Sequence, residues 1–189
     1  MTKAELRKIY SNKRKALSAE DYAILNQQLL AQFKTVDFSC VKYIHIFLPI
    51  ISRREPDTYL IINYLKANHP NITLVYPQCN FAGCSMESFV DDTDLQLAEN
   101  QFGITEPVAG NIINPDNIDM ILLPLLAFDK RGYRVGYGKG FYDRFIARCR
   151  TDVQLVGLSL FEPMEHIDDV NEYDRQMHRC IMPDRVWDV

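Results

Sequence analysis

No apolar stretch of this chain approaches the roughly 20 residues that cross a bilayer. Its first eight residues, Met1-Thr-Lys-Ala-Glu-Leu-Arg-Lys8, lack the apolar core of a signal peptide. A basic excess is missing too: 21 lysines and arginines against 25 aspartates and glutamates leave a formal net charge of −4. That argues against a general nucleic-acid surface, but not against a local basic pocket for an anionic ligand. The five cysteines (Cys40, Cys79, Cys84, Cys149, Cys180) are odd in number and make no C-x-x-C pair, so neither a disulfide scaffold nor a structural zinc is expected. The four histidines are scattered and offer no metal cluster or catalytic triad; His166 and His178 read as surface residues. There is no internal repeat or low-complexity tract. What is present is a 189-residue chain, 47% apolar, long enough for one core. The expectation is a single cytoplasmic domain, 1–189, with a helical segment 1–35 packed on it.

Thr2 to Glu5 is a capping-box pattern, followed by Leu6, Ile9, Tyr10 and Leu17 near helical spacing. Ser18 starts a second helix to about Phe33, with Tyr22, Leu25, Leu29 and Leu30 on its apolar side. Tyr43 to Leu48 reads as a strand stopped by Pro49, and Pro56-Asp57 opens a helix carrying Leu60, Ile61, Tyr64 and Leu65. Ile72 to Tyr76 is a strand closed by Pro77, and Ser85 to Val90 an edge strand. Asn111 to Asn117 reads as a loop. The apolar run Ile118 to Phe128 reads as a buried strand, with Ile118 to Leu123 as the central strand; Phe141 to Arg150 is a helix, Val153 to Leu158 a strand, and Ile181-Met182 closes the sheet. Alternating strands and helices with continuous apolar strands predict an α/β fold, its parallel or mixed sheet covered on both faces.

The densest signal is Gly132-Tyr-Arg-Val-Gly-Tyr-Gly-Lys-Gly-Phe-Tyr-Asp-Arg144. Gly136, Gly138 and Gly140 stand on alternate positions between a strand and a helix, where open α/β sheets bind ligands. Successive N–H groups there suit phosphate oxygens. Arg134, Lys139 and Arg144 add positive charge, and Asp143 a carboxylate. The P-loop pattern fails, because Lys139 is followed by Gly140 rather than Ser or Thr; the dinucleotide fingerprint fails at Phe141. The combination points to nucleotide or polyphosphate chemistry, with a ligand-free glycine turn as the alternative.

From Leu122 to Arg144 the order P-x-hydrophobic-A-F-D, then G-x-R-hydrophobic-G-x-G-x-G-aromatic-Y-D-R, closely resembles the signature of 5-formyltetrahydrofolate cyclo-ligases, also called 5,10-methenyltetrahydrofolate synthetases. Lys3-Ala-Glu-Leu-Arg7 is similar to that family's N-terminal helix, and Ile44 to Leu48 with Glu55 to its first strand and substrate loop. Phe102-Gly-Ile-Thr-Glu-Pro107 resembles its Gly-Ile-x-Glu-Pro segment. The resemblance implies a three-layer α/β/α domain similar to sugar-phosphate isomerases and CoA-transferases. It also implies an enzyme using ATP and Mg²⁺ to close 5-formyltetrahydrofolate into 5,10-methenyltetrahydrofolate. The formyl oxygen attacks the γ-phosphate, N10 attacks the activated carbon, and phosphate leaves. The implied partners are these small molecules, without nucleic acid or membrane, acting on a monomer or weak oligomer.

By the same resemblance Lys139 and Arg134 are catalytic, and ATP is held by Lys3, Arg7, Arg134, Val135, Gly136, Tyr137, Gly138, Lys139, Gly140, Phe141 and Tyr142. Folate falls to Pro49, Ile50, Glu55 and residues Tyr137 to Phe141, and the metal to Asp143 and Asp174. Read singly, several of these have plainer roles. Lys139 is a solvated loop lysine, Arg134 a partner of Asp129, Asp143 a helix cap, and Lys3 with Arg7 a charged helix face. Glu55 is then a charged loop residue beside Arg53 and Arg54, and Glu106 a turn residue. Tyr142 lines the pocket or packs in the core. Arg148 and Arg150 are candidates for a basic rim. Phe141 stands where the family often has Tyr, so stacking carries over and a hydroxyl role does not; His178 replaces a usual acidic residue. The competing functions are a non-catalytic folate or nucleotide binder and an isomerase- or CoA-transferase-like enzyme. The binder is opposed by the intact Arg134, Lys139 and Asp143, and the second enzyme by the want of a placed catalytic carboxylate.

Overall fold

The computed structural model describes residues 1–100 and 103–189, so Phe102, at the head of the 102–107 segment, lies outside the described residues. Helix α1 (Lys3–Ala16) opens on the expected box: the Thr2 hydroxyl accepts from the Glu5 N–H, and the Glu5 carboxylate accepts from the Thr2 N–H. Leu6 and Tyr10 are buried, whereas Ile9 is exposed, because the buried stripe runs by fours from Leu6. Helix α2 (Ala19–Phe33) starts from Ser18, whose hydroxyl accepts from the Asp21 N–H. There follow β1 (Tyr43–His45), α3 (Thr58–Asn68) capped by Asp57, β2 (Thr73–Asn80), β3 (Ser85–Val90), β4 (Gln96–Glu99) and β5 (Thr105–Ala109). The chain then forms β6 (Met120–Pro124), β7 (Ala127–Phe128), β8 (Arg134–Val135), α4 (Phe141–Ile146), β9 (Gln154–Leu158), β10 (Arg179–Ile181) and β11 (Val186–Asp188).

Seven strands make the main sheet, in the order β11-β10-β9-β6-β1-β2-β3. The five inner strands are mutually parallel, and β3 and β11 add antiparallel edges. β6 lies at the centre, and period-two alternation splits it between two cores. Met120 and Leu122 join the layer under α2 and α3, with Phe33, Ile61 and Leu65; Ile121 and Leu123 join Phe145 and Ile146 of α4 on the other face. Each such fully buried side chain contributes about 1.5–3 kcal/mol of hydrophobic stabilisation. The result is the expected mainly parallel sheet between helical layers.

Four boundaries differ from the sequence expectation. β2 runs through Pro77 instead of stopping there, because β3 continues to pair with it. Only the β1 side ends: the Ile46 N–H donates to the Val75 carbonyl, and the next rung needs a donor that Pro77 lacks. The run 118–128 is not one strand. The Leu126 N–H donates to the Val135 carbonyl, folding β7 and β8 into a small hairpin between the central strand and the glycine loop. Its turn needs Gly132 (φ +83°), where a Cβ would meet the Met177 carbonyl oxygen at 2.7 Å. Helix α4 stops at Ile146, since the Arg148 and Cys149 N–H groups bond three residues back, to Phe145 and Ile146. Finally, β11 closes the sheet beyond Ile181; three residues are too short to show a strand period.

His45 sits inside β1, fully buried, its Nδ1 3.0 Å from the Ser88 hydroxyl and its Nε2 without a partner among the described residues. Desolvation drives its pKa down from 6.5 to about 3. The unfolded chain takes a proton here at pH values where the native chain does not. Stability is therefore full above the unfolded pKa of 6.5 and falls as the pH drops toward about 3, with a slope of about 1.4 kcal/mol per pH unit from this group. Urea unfolding is expected to show a lower midpoint at about pH 5 than at about pH 7. The difference should shrink in His45→Gln. An equal drop in both proteins would remove His45 as its source.

Candidate functional site

At the C-terminal ends of β1, β2 and β6 the chain opens a cavity of about 1020 Å³ walled by Phe47, Leu48, Pro77, Cys79 and Pro124. This is the edge at which parallel sheets bind ligands. A pocket for one drug-sized molecule runs to about 300–1,000 Å³, so this space lies at the upper end of that range. The glycine loop, Gly136 to Asp143, forms another wall, and α1 brings Lys3 and Arg7 to the same space. Residues more than a hundred positions apart thus meet on one ligand-sized surface.

Loop and helix are fitted to each other. Gly138 (φ +84°) lies under the Arg7 guanidinium, so that a Cβ there would be 3.1 Å from Cζ. Arg7 Nε donates to the Gly136 carbonyl at 2.9 Å. A side chain at position 138 would displace the cation. Because α4 has only six residues, its dipole is small, and the loop N–H groups and nearby cations carry the anion-binding capacity.

The charged residues form two linked pairs. Arg134 is buried, and its guanidinium donates to Asp143 Oδ1 at 2.7 Å and to the Arg175 carbonyl at 3.0 Å. It does not pair with Asp129, whose carboxylate is held by Arg131 at 2.6 Å. Lys3 Nζ binds Asp174 Oδ2 at 2.5 Å, and the Asn171 N–H donates to that same oxygen at 2.7 Å. The Arg175 N–H points to Asp143 Oδ1 at 3.5 Å, which ties the two pairs together. Asp143 Oδ2 and Asp174 Oδ1 are left without hydrogen bonds among the described residues, and both carboxylates line the cavity. Lys139 is exposed on the same wall with no ionic partner among the described residues.

Glu55, also on the cavity lining, is 3% exposed. Its Oε2 accepts from the Ile50 N–H at 2.7 Å and its Oε1 from the Tyr137 hydroxyl at 2.5 Å. Arg53 lies over the Tyr137 ring, 5.2 Å from its centroid. Phe141 meets Phe81 edge-on at 5.3 Å, making an aromatic side to the cavity. Tyr142 combines both of its expected settings. Its ring packs near His45 and lines the cavity, while its hydroxyl is buried without a partner among the described residues and burial raises its pKa.

Some expected residues lie elsewhere. Ile50 lines the cavity but Pro49 does not, and the Val135 side chain is fully buried in the core with Leu6 and Tyr10. Strand alternation explains this, since Arg134 faces the cavity and the next residue faces away. Arg148 donates to the Met86 carbonyl and Arg150 binds Asp119 and Asp152, so neither forms a rim of this cavity. His178 is exposed, away from the cavity, and its Nδ1 accepts from the Leu155 N–H. Glu106 is on the wall and accepts from the Asn100 side chain at 3.0 Å. Phe81, Ile104, Tyr173 and Arg175 line the cavity without having been expected there. They come from irregular connections, where no period marks a face.

Residues 1–183 match the 5-formyltetrahydrofolate cyclo-ligase family. The 5-formyltetrahydrofolate cyclo-ligase of Mycoplasma pneumoniae is 30% identical over 164 residues, covering 84% of this chain and 85% of its own. The mouse enzyme of the same name is 31% identical over 155 residues, covering 78% and 74%. Among solved structures, the 5,10-methenyltetrahydrofolate synthetase of Aquifex aeolicus superposes with a TM-score of 0.80 at 30% identity, over 100% of this chain and 93% of that one. With a fold, a loop and relatives that agree, the chain belongs to the 5-formyltetrahydrofolate cyclo-ligase family.

Proposed function

We propose that this protein closes 5-formyltetrahydrofolate into 5,10-methenyltetrahydrofolate, converting ATP to ADP and phosphate. One observation carries the reading. A single cavity is lined by an anionic hydrogen-bond acceptor, Glu55, by the cations Lys3, Arg7, Arg134 and Lys139, and by the glycine loop, whose Tyr137 bonds Glu55 and whose Gly136 carbonyl bonds Arg7. Glu55 suits the N–H groups of a pterin, and the cations suit a triphosphate. The loop N–H groups hold the phosphate chain while Arg7 and Arg134 fix its direction. The formyl oxygen is thereby placed in line with the γ-phosphorus. That oxygen forms a bond to phosphorus as the bond to ADP breaks, and Lys139 balances charge on the transferring group. N10 then adds to the activated carbon; loss of the N10 proton and of phosphate leaves the methenyl bridge.

Magnesium fits the donors present. It takes one or two carboxylates together with phosphate oxygens and water, and the open oxygens of Asp143 and Asp174 are of that kind. No cluster of three or more His, Cys, Asp or Glu is found among the described residues, and this mode of binding needs none. When bound, the ion draws charge off the phosphates. Arg134 holds Asp143 in place for it, and Lys3 does the same for Asp174. No helix among the described residues is long and apolar enough to cross a membrane. The proposal is of a cytoplasmic enzyme, monomeric or weakly associated, acting on small molecules and binding neither nucleic acid nor membrane.

The test is direct. Protein supplied with Mg-ATP and 5-formyltetrahydrofolate is expected to build up methenyltetrahydrofolate, followed by its near-ultraviolet absorbance, with ADP released in equal amount. Binding of both substrates without product or ADP would instead identify a non-catalytic binder.

A further inference from the structure

Arg14 lies beneath the glycine loop and does not reach the cavity. Leu6, Tyr10 and Arg14 stand four residues apart on one buried stripe of α1, so an arginine occupies a position where the pattern calls for an apolar side chain. It is 2% exposed. Its Nη2 donates to the Leu125 carbonyl, just past the end of β6, and its Nη1 donates to the Tyr137 hydroxyl at 3.2 Å. Tyr137 passes its own proton toward Glu55 Oε1 at 2.5 Å. Arg14 has no direct ion pair among the described residues. A buried cation and a buried carboxylate therefore face each other through one hydroxyl.

Burying an arginine without a carboxylate beside it is costly, so its position calls for a role. The bonds from Arg14 to Tyr137 and from Tyr137 to Glu55 run in one direction, so each strengthens the next. Burial, and then the charge of Glu55, raise the pKa of the Tyr137 hydroxyl, which keeps it a donor. Glycines flank Tyr137 on both sides, and Gly138 adopts φ +84°, so the loop backbone alone does little to fix the ring. Helix α1 fixes it at two points: Arg7 holds the Gly136 carbonyl and Arg14 holds the Tyr137 hydroxyl.

We propose that Arg14 is a positioning residue for folate: it aims the Tyr137 hydroxyl at Glu55 and so holds the carboxylate in the orientation that receives the pterin N–H groups. This rests on the cyclo-ligase reading of the cavity. The test is a double-mutant cycle of Arg14→Met and Tyr137→Phe, with both substrates varied in steady-state kinetics and thermal unfolding as the check on folding. Arg14→Met is expected to raise the folate KM about tenfold, the effect of losing a hydrogen bond in a charged chain. Its kcat and its KM for ATP should stay within about twofold of wild type, since Arg14 touches neither substrate. The double variant should be no worse for folate than Tyr137→Phe alone, because both changes act through one hydroxyl. Arg14→Lys should recover part of the loss, and it replaces Arg14→Met in the cycle if the methionine variant does not fold. Equal rises in both KM values, or independent effects that multiply in the double variant, would make Arg14 a merely structural residue and overturn the proposal. Wild-type protein that forms no methenyl product would overturn the cyclo-ligase reading and this inference with it.

Discussion

Lys139→Ala is expected to lower kcat by about 10²–10³-fold, the usual result of removing one preorganised charge from a transition state. The folate KM should change by no more than about threefold. The split follows from where the ammonium sits. Lys139 stands between Gly138 and Gly140, exposed on the cavity wall and without an ionic partner among the described residues. No described residue holds it in a salt bridge, in contrast to Lys3 on Asp174 and Arg134 on Asp143. In the proposed reaction its charge is free to follow the phosphoryl group as negative charge shifts during transfer, so its contribution should fall mainly on the transition state. Glu55, the proposed folate contact, is held by Ile50 and Tyr137 and should be untouched. Stability should change by no more than about 0.5 kcal/mol, as for other exposed side chains. Steady-state kinetics with each substrate varied separate the alternatives. Larger KM values for both substrates with an unchanged kcat would mean that Lys139 only helps to bind them.

The part of this site written in local pattern was legible in the sequence. Gly138 and Gly140 adopt the left-handed backbone that glycine spacing advertises, and Lys3 and Arg7, one helical turn apart, do face the same cavity. The central strand was equally plain, because β6 is apolar on both faces. What pattern could not show was partner choice. Asp129 and Asp143 are equally plausible mates for Arg134 in one dimension, and only the β7–β8 hairpin decides between them by assigning Arg131 to Asp129. Val135 fell on the wrong side for a related reason: a contiguous binding motif ignores the alternation of a strand, which sends every second side chain into the core. Arg14 is different, since its signal was available. It continues the stripe of Leu6 and Tyr10, but two basic neighbours, Lys13 and Lys15, make it look like one more residue of a charged face.

Glu55→Gln should cost this enzyme its grip on folate, with kcat/KM for 5-formyltetrahydrofolate lower by about 10²-fold or more and ATP binding retained. The substitution preserves shape and removes only charge and one acceptor, so packing is not at issue. In the wild type both oxygens accept: one from the Ile50 N–H, the other from the Tyr137 hydroxyl. An amide has one oxygen and one NH₂: turned one way its NH₂ meets the Ile50 N–H, and turned the other it faces the Tyr137 hydroxyl, which already accepts from Arg14 and must then turn its own proton away from position 55. Water cannot relieve the clash, because the residue is 3% exposed. Each buried donor left unmatched costs about 1–3 kcal/mol, and more where a charge was involved. In the proposed complex the pterin N–H groups lose their anion at the same time, and the buried charge of Arg14 loses its counter-charge beyond Tyr137. Glu55→Asp keeps the charge but withdraws it by one methylene, too far to meet both Ile50 and Tyr137, so it should lie between wild type and Glu55→Gln. Equilibrium binding of folate, measured beside binding of a non-hydrolysable ATP analogue, distinguishes recognition from misfolding. A Glu55→Gln protein that binds the analogue normally and folate as tightly as wild type would show that the pterin is recognised elsewhere.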